Sequence, residues 1–401
     1  MRKLALYAGL VTALFVGSAQ AQVSDDVIKI GVLNDQSGSF ADLSGPNGVI
    51  AAEMAVEDFG GTVLGKKIEV VSADHQNKVD IGLDIARKWY ESEGVDLIID
   101  VPNSAIAIGV NDLTRDLDKI AIFTSAGSSA LTGAKCSPNG IHWTYDTYAL
   151  ARGVATAMLE NGDKSWFFLV SDYAFGHALR ADAGQVVENN GGTIVGEVKH
   201  PLNTADFASY LLQAQASGAQ VIGLANGSAD TVNSIKQANE FGITQSGQKL
   251  AALLFFLTDV HSLGLDLAAG VNLVEAFYWD QTDETRAWSE RFYKRTGVMP
   301  TMLHASDYAA VMHYLKAVKA AGTDASGPVL EKMKGTKIND FFTKDAYIRE
   351  DGRVIRDMYL YSVKNKSDSK RDWDYYNVVR TIPGEQAFRP LAESECPLVK
   401  K

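Results

Sequence analysis

Residues 27–61 limit what this chain can fold into more than any other stretch. Residues 27–33 form a short apolar run rich in β-branched side chains, the pattern of a parallel strand buried on both faces. The run leads directly into turn chemistry at Asn34, Asp35, Ser37, Gly38 and Ser39. Gly45, Pro46, Asn47 and Gly48 then open a helical pattern with Ile50, Met54 and Phe59 on one side. A strand that passes through a loop into a helix N-terminus leaves backbone N–H groups and the positive end of the helix dipole above the sheet edge. Such a place suits a small anion.

The same unit recurs along the chain. Strands are expected at 67–73, 96–101, 119–124, 165–171, 193–199, 221–225 and 249–256, with helices at 79–93, 105–117, 147–160, 177–189, 205–216 and 229–241. Strict alternation of this kind predicts an α/β fold of doubly wound parallel sheets with helices on both faces. With 401 residues, 46% hydrophobic, the chain is too long for one small core and forms two sets of units of roughly equal size. Between the sets lies 141–148 (IHWTYDTY), polar and aromatic without helical period, and a second aromatic stretch, 276–281 (AFYWDQ), precedes a helix at 282–296. Helices at 306–321 and 328–334 follow. After Gly352 the pattern changes to antiparallel strands at 357–363 and 375–382.

Residues 1–21 carry two basic side chains, an apolar run and a small-x-small site at Ala19-Gln20-Ala21, which reads as a secretory signal cleaved after Ala21. Its removal takes the formal net charge from -11 to -13, because Arg2 and Lys3 leave with it. An acidic exported chain without a basic cluster is a poor partner for nucleic acid. Cys136 and Cys396 are the two cysteines, and in an oxidising compartment they are expected to pair. Nucleotide, hydrolase, zinc and redox motifs are absent from the sequence, which lowers the expectation of an enzyme and gives no indication of a cofactor or metal.

At KIGVLNDQSGSFADLSGP (29–46), followed by an Ala- and Glu-rich helix and the strand GKKIEVVSAD, the sequence resembles the opening of the periplasmic solute-binding proteins of ABC importers, leucine/isoleucine/valine-binding type. The resemblance implies two doubly wound lobes joined by a three-strand hinge. It places a first lobe at 22–144 and 280–355, and a second at 145–279 with a tail at 356–401. The implied role is capture of a small carboxylate-bearing solute, a branched-chain amino acid or a related molecule, and its delivery by a monomeric carrier to an inner-membrane ABC permease. An aromatic acid or small amide as ligand, or a periplasmic sensor role, are the alternatives.

Candidate ligand groups fall on loops after strands. Ser104 either caps the helix that follows or turns its hydroxyl to the cleft; the matching family segment holds a ligand carboxylate. Gly127, Ser128 and Ser129 lie in a donor-rich loop that resembles the segment completing that grip. On the second lobe, SDYAFG (171–176) resembles a segment whose aromatic covers the ligand, which nominates Phe175, with Tyr173 as its neighbour. Asn226 either orients a ligand or caps a helix. Tyr145 and Phe255 are aromatic candidates for the walls, along with Trp143, and Phe255 reads equally well as core. Where the family's amino-acid binders place an acid for the α-ammonium, this chain has Leu254, Phe255 and Phe256, with Asp259 out of register. A buried ammonium without a partner costs several kcal/mol, so a standard amino acid is disfavoured as ligand. Asp146 and Tyr308 resemble motif positions near the crossings and are expected to organise the hinge.

Overall fold

The protein is described by a computed structural model covering residues 23–400, so the leader expected at 1–21 lies outside the described residues. The first sheet contains β1 (Val27–Asn34), β2 (Thr62–Val63), β3 (Lys66–Asp74), β4 (Leu97–Asp100), β5 (Ile120–Phe123) and β6 (Gly140–His142), in the order β2-β3-β1-β4-β5-β6. All neighbours pair in parallel except the short β2. Ile28, Ile30, Val32 and Leu33 of β1 are buried, as expected of a strand covered on both faces. Helices α1 (Gly45–Phe59), α2 (Val79–Glu91) and α3 (Ser104–Leu117) connect these strands. Because β1 sits between β3 and β4, the winding reverses there and opens a crevice above the carboxyl ends of β1 and β4.

The second sheet repeats the scheme. After α4 (Thr147–Glu160) come β7 (Ser165–Ser171), α5 (Ala174–Asn189), β8 (Thr193–His200), α6 (Ala208–Ala216), β9 (Val221–Ala225), α7 (Ala229–Glu240) and β10 (Lys249–Ala252). Their order is β10-β9-β7-β8, all parallel, with the reversal between β7 and β9. The strand expected at 249–256 stops at Ala252. Residues 253–256 are buried but leave the ladder, because Asp259 accepts from the N–H of Phe256 at 2.9 Å and starts α8 (Leu257–Leu263) there.

Beyond α9 (Leu265–Ala268), β11 (Asn272–Glu275), α10 (Asp283–Thr296), α11 (Met302–Ala321) and α12 (Ser326–Gly335), the chain forms β12 (Tyr347–Ile348) and β13 (Val354–Ile355). It then adds β14 (Met358–Val363), β15 (Tyr376–Ile382) and the short α13 (Gly384–Ala387). As the tail pattern suggested, β14 and β15 are antiparallel, and they pair with β11 in a third sheet. Strands β6 and β11 escaped the sequence pattern because three or four residues are too few to show a period. Helix α11 begins four residues before the expected 306, since the Thr301 hydroxyl accepts from the N–H groups of Leu303 and His304.

On the lobe division expected above, the crossings fall after β6, after β11 and after β13. At the first and third crossings the backbones touch: the N–H of His142 donates to Gly352 O at 2.9 Å. Gly352 has φ 85°, and a Cβ there would stand 2.5 Å from Gly140 O, so only glycine permits this approach. Arg353, fully buried, donates from Nη1 to Tyr145 O at 2.8 Å, lies over the Phe388 ring and stands 3.8 Å from Asp146. Asp146 also caps α4 through Ala149 N–H. The Tyr308 hydroxyl donates to Asp58 and so ties α11 to α1. Cys136 and Cys396 form a disulfide, Cα atoms 5.6 Å apart, that fastens the tail to a first-lobe loop.

Candidate functional site

The two switch points face each other. Between them lies a cavity lined by Phe40, Leu43, Pro102, Ser125 and Tyr145 on one side and by Tyr173, Phe175, Gly227 and Leu254 on the other. Its empty space is about 260 Å³. The lobes are closed over it. Ser228 Oγ donates to Ser39 O at 2.9 Å across the mouth, and Gly127 packs directly against Phe175 and Tyr145.

Local sequence explains these positions. Ser104 is the fully buried first residue of α3, but Asn103 is the cap, accepting from the N–H groups of Ala105 and Ile106. The Ser104 hydroxyl is thereby free to accept from Ser128 N–H at 3.2 Å, which knits the two first-lobe loops together. The Ser128 hydroxyl is used at 3.4 Å by Ala130 N–H in a 3-10 turn. Tyr145 donates to Ser125 O at 2.8 Å and meets Phe256 edge-on. Burial, reinforced by Asp100 and Asp259, pushes the Tyr145 phenol far above its ordinary range, so it remains a neutral donor. Tyr173 is raised by burial in the same way.

Of the candidates, Tyr145 and Phe175 line the cavity, Gly127 packs against both, Ser104 and Ser128 bond each other in the adjoining loops, and three others lie elsewhere. Ser129 turns toward the hinge. Its hydroxyl donates to Asp182 Oδ2 at 2.8 Å, and Asp182 also accepts from Thr147 and Arg389, beside a separate crevice. Asn226 is an internally satisfied amide: Thr231 donates to its Oδ1, and its Nδ2 meets Ser234 and His200. Phe255 packs in the core, and Leu254 is the residue of that segment that reaches the cavity. Trp143 is likewise core, against His313. Sequence reasoning missed Phe40, Leu43, Pro102, Ser125, Gly227 and Leu254. A lone aromatic in the polar loop 34–44 was the one available signal, for Phe40.

None of the cavity-lining residues carries a formal charge. Asp259, the nearest acid by sequence, is occupied as the cap of α8, and burial raises its pKa to about 7. In the two first-lobe loops that supply Pro102 and Ser125 to the cavity, the backbone N–H groups of Ser104, Ala126 and Gly127 make no hydrogen bond among the described residues, although all three residues are buried. Unpaired donors of this kind at a helix N-terminus are suited to an anion.

Two doubly wound lobes closing over a small uncharged cavity, with no catalytic constellation in it, define a hinged solute-binding protein. The family profile described as "Periplasmic binding protein" matches residues 27–370, and the chain belongs to that family. A crystal structure of a periplasmic binding protein from Burkholderia mallei is 50% identical, covers 94% of this chain and 100% of that one, and has a TM-score of 0.92. A branched chain amino acid ABC transporter periplasmic ligand-binding protein from Burkholderia xenovorans LB400 is 43% identical, covers 93% and 100%, and has a TM-score of 0.83. The Leu/Ile/Val-binding protein homolog 6 of Brucella suis biovar 1 (strain 1330) is 26% identical over 386 residues, 94% of this chain and 96% of its own.

Proposed function

We propose that this protein captures a small carboxylate that lacks an α-ammonium group, an aromatic acid by preference, and hands it unchanged to an inner-membrane permease. The observation that carries the ligand reading is the uncharged, largely aromatic cavity, with three unpaired N–H groups in the first-lobe loops that supply its Pro102 and Ser125. A carboxylate docks on Ser104, Ala126 and Gly127, where the α3 dipole favours negative charge. Phe40, Tyr145, Tyr173 and Phe175 surround the rest of the molecule. An amino acid would bring a positive charge with no carboxylate in the wall to meet it. Branched-chain amino acids are the second reading, supported by the names of the Burkholderia xenovorans and Brucella suis proteins.

The mechanism is a trap. Ligand bound to the first lobe stabilises the closed form by its additional contacts with the second, so differential affinity drives closure and no bond is made or broken. We place the lobe divisions at 144, 279 and 355, the signal cleavage after Ala21, and the working form as a monomer. The reading is tested by thermal unfolding of protein denatured, washed and refolded, then offered benzoate, 4-hydroxybenzoate, small amides and leucine. Ligand at about a thousand times its Kd adds roughly 4 kcal/mol. A rise in midpoint with the aromatic acids and none with leucine is expected; a rise with leucine alone would overturn the ligand assignment.

A further inference from the structure

Directly behind Ser125 the first lobe buries a set of oxygens that ligand capture does not use. Asp100 ends β4 and Asp307 lies in the second turn of α11, and both are fully buried. A methyl group on Gly48 would stand 2.9 Å from Asp100 Oδ2 and 2.9 Å from Asp307 Oδ2, so the two carboxylates face each other across the bare Cα of α1. Asn34 Nδ2 donates to Asp100 Oδ2 at 2.8 Å, and Thr124 donates to Asp307 Oδ1. Asp307 Oδ2 and Asp100 Oδ1 have no protein partner, and neither do the hydroxyls of Ser44 and Ser125, which lie near enough to Asp100 to favour its ionised form. The backbone here is held at a cost, with Asp100 at φ 79° and the β-branched Val101 at φ 55°.

No lysine or arginine is among the groups that act on either acid. The titratable neighbours are neutral. The Tyr145 phenol approaches from the first crossing. His304, one turn before Asp307, is pushed down to about 4 by burial and bonds Ser44 O. Two ionised carboxylates in such a place would be uncompensated. One proton resolves this. The proton neutralises Asp307, whose Oδ2 faces the Asp100 side of the pair, and leaves Asp100 ionised beside the donating Asn34 amide and close to the hydroxyls of Ser44 and Ser125. Burial raises both pKa values, and the charge on Asp100 raises that of Asp307 further, in agreement with this arrangement.

We propose that Asp100 and Asp307 share a proton, and that this buried pair, joined to the cavity through Ser125, couples proton uptake to the capture of an anionic ligand. The second half rests on the reading of the cavity as a carboxylate site. A negative ligand above Ser125 favours a further proton on the pair, so by linkage a proton favours the ligand. Affinity therefore increases as pH falls from 8 to 6, on the order of tenfold for charges coupled through an effective dielectric near 20.

The first half is tested without any ligand. Infrared spectra of the full chain at pH 7 should contain the C=O stretch of a protonated carboxylic acid that disappears in Asp307→Asn, whose amide replaces the donor. Asp100→Asn provides a second variant if the first fails to fold. A spectrum in which both variants retain every such band overturns the shared proton. So does an unfolding midpoint that moves with millimolar calcium or sodium at constant ionic strength and not with pH, since a cation would then balance the pair. For the second half, benzoate is titrated calorimetrically at pH 6 and pH 8 in two buffers of different ionisation enthalpy. Tighter binding with proton uptake at pH 6, abolished in Asp307→Asn, is expected, whereas pH-independent binding overturns the coupling. Failure of benzoate to bind at all counts against the ligand reading, and the infrared result decides the proton independently.

Discussion

Replacing Gly127 by alanine should hold the trap open without unfolding either lobe. A Cβ at this position would stand 2.7 Å and 3.0 Å from two ring carbons of Phe175 and 3.0 Å from Tyr145 Cε2, against an ordinary contact of 3.4–4 Å. Neither ring can retreat easily. Phe175 sits on the first turn of α5, fixed because Gly176 lies so close to the Ser171 carbonyl that a Cβ there would be 2.0 Å from its oxygen. Tyr145 is tethered by its bond to Ser125 O and its edge contact with Phe256. Overpacking of this size costs about 1–3 kcal/mol. Phe175 belongs to the opposite lobe, so opening relieves most of the clash, and the cost falls on closure and not on folding. Ligand affinity is expected to fall by about 5- to 150-fold, while the unfolding midpoint of the ligand-free protein stays close to wild type. Calorimetric titration with the ligand identified by the thermal screen measures the first, and small-angle scattering at saturating ligand measures closure. A variant that binds within twofold of wild type and gives the same compact scattering profile would refute the wedge argument.

Two further outcomes are expected. Cys136→Ser with Cys396→Ser removes a link spanning 260 residues, for which loop entropy gives about 5 kcal/mol, so the unfolding midpoint should drop by several degrees while the ligand panel remains unchanged; an unaltered midpoint would mean that the tail holds by packing alone. Glu275 is buried, accepts from Tyr376 and from Leu257 N–H, and has its pKa pushed up to about 8, burial being the main cause. Its folded state keeps a proton that the unfolded chain releases near 4.5, so this contribution to stability is full below that pH and is lost as pH rises through about 8. Glu275→Gln should flatten that part of the profile and gain on wild type by roughly 3–4 kcal/mol between pH 5 and pH 8; parallel stability curves in chemical denaturation would refute the assignment.

Much of the architecture was written locally. Apolar β-branched runs such as 221–225 and helices bounded by caps could be read by eye because strand period, helix period and turn chemistry are properties of neighbours in sequence. The Cys136–Cys396 pairing followed from the count and the compartment. The doubly wound parallel sheets lay within reach of such patterns.

Only the tertiary structure decided which of the loop residues meet. Ser128 and Ser129 are adjacent and chemically alike, yet one sits against Ser104 and the other bonds Asp182, because Ser128 is the cap and Ser129 the first residue of a 3-10 turn. Leu254 and Phe255 exchanged roles for a similar reason: the ladder ends at Ala252, and the register beyond it is set by the cap of α8 and not by strand alternation. Phe40 and Tyr173 come together across the cleft through the closure of two lobes. Asp100 and Asp307, 207 residues apart in number, become a single electrostatic unit because α11 returns to pack on the first sheet. Sequence determined the elements and the kind of chemistry at their ends. The cavity, its charge and its walls depend on contacts between distant segments, and these exist only once the sheets have stacked and the hinge has brought them face to face.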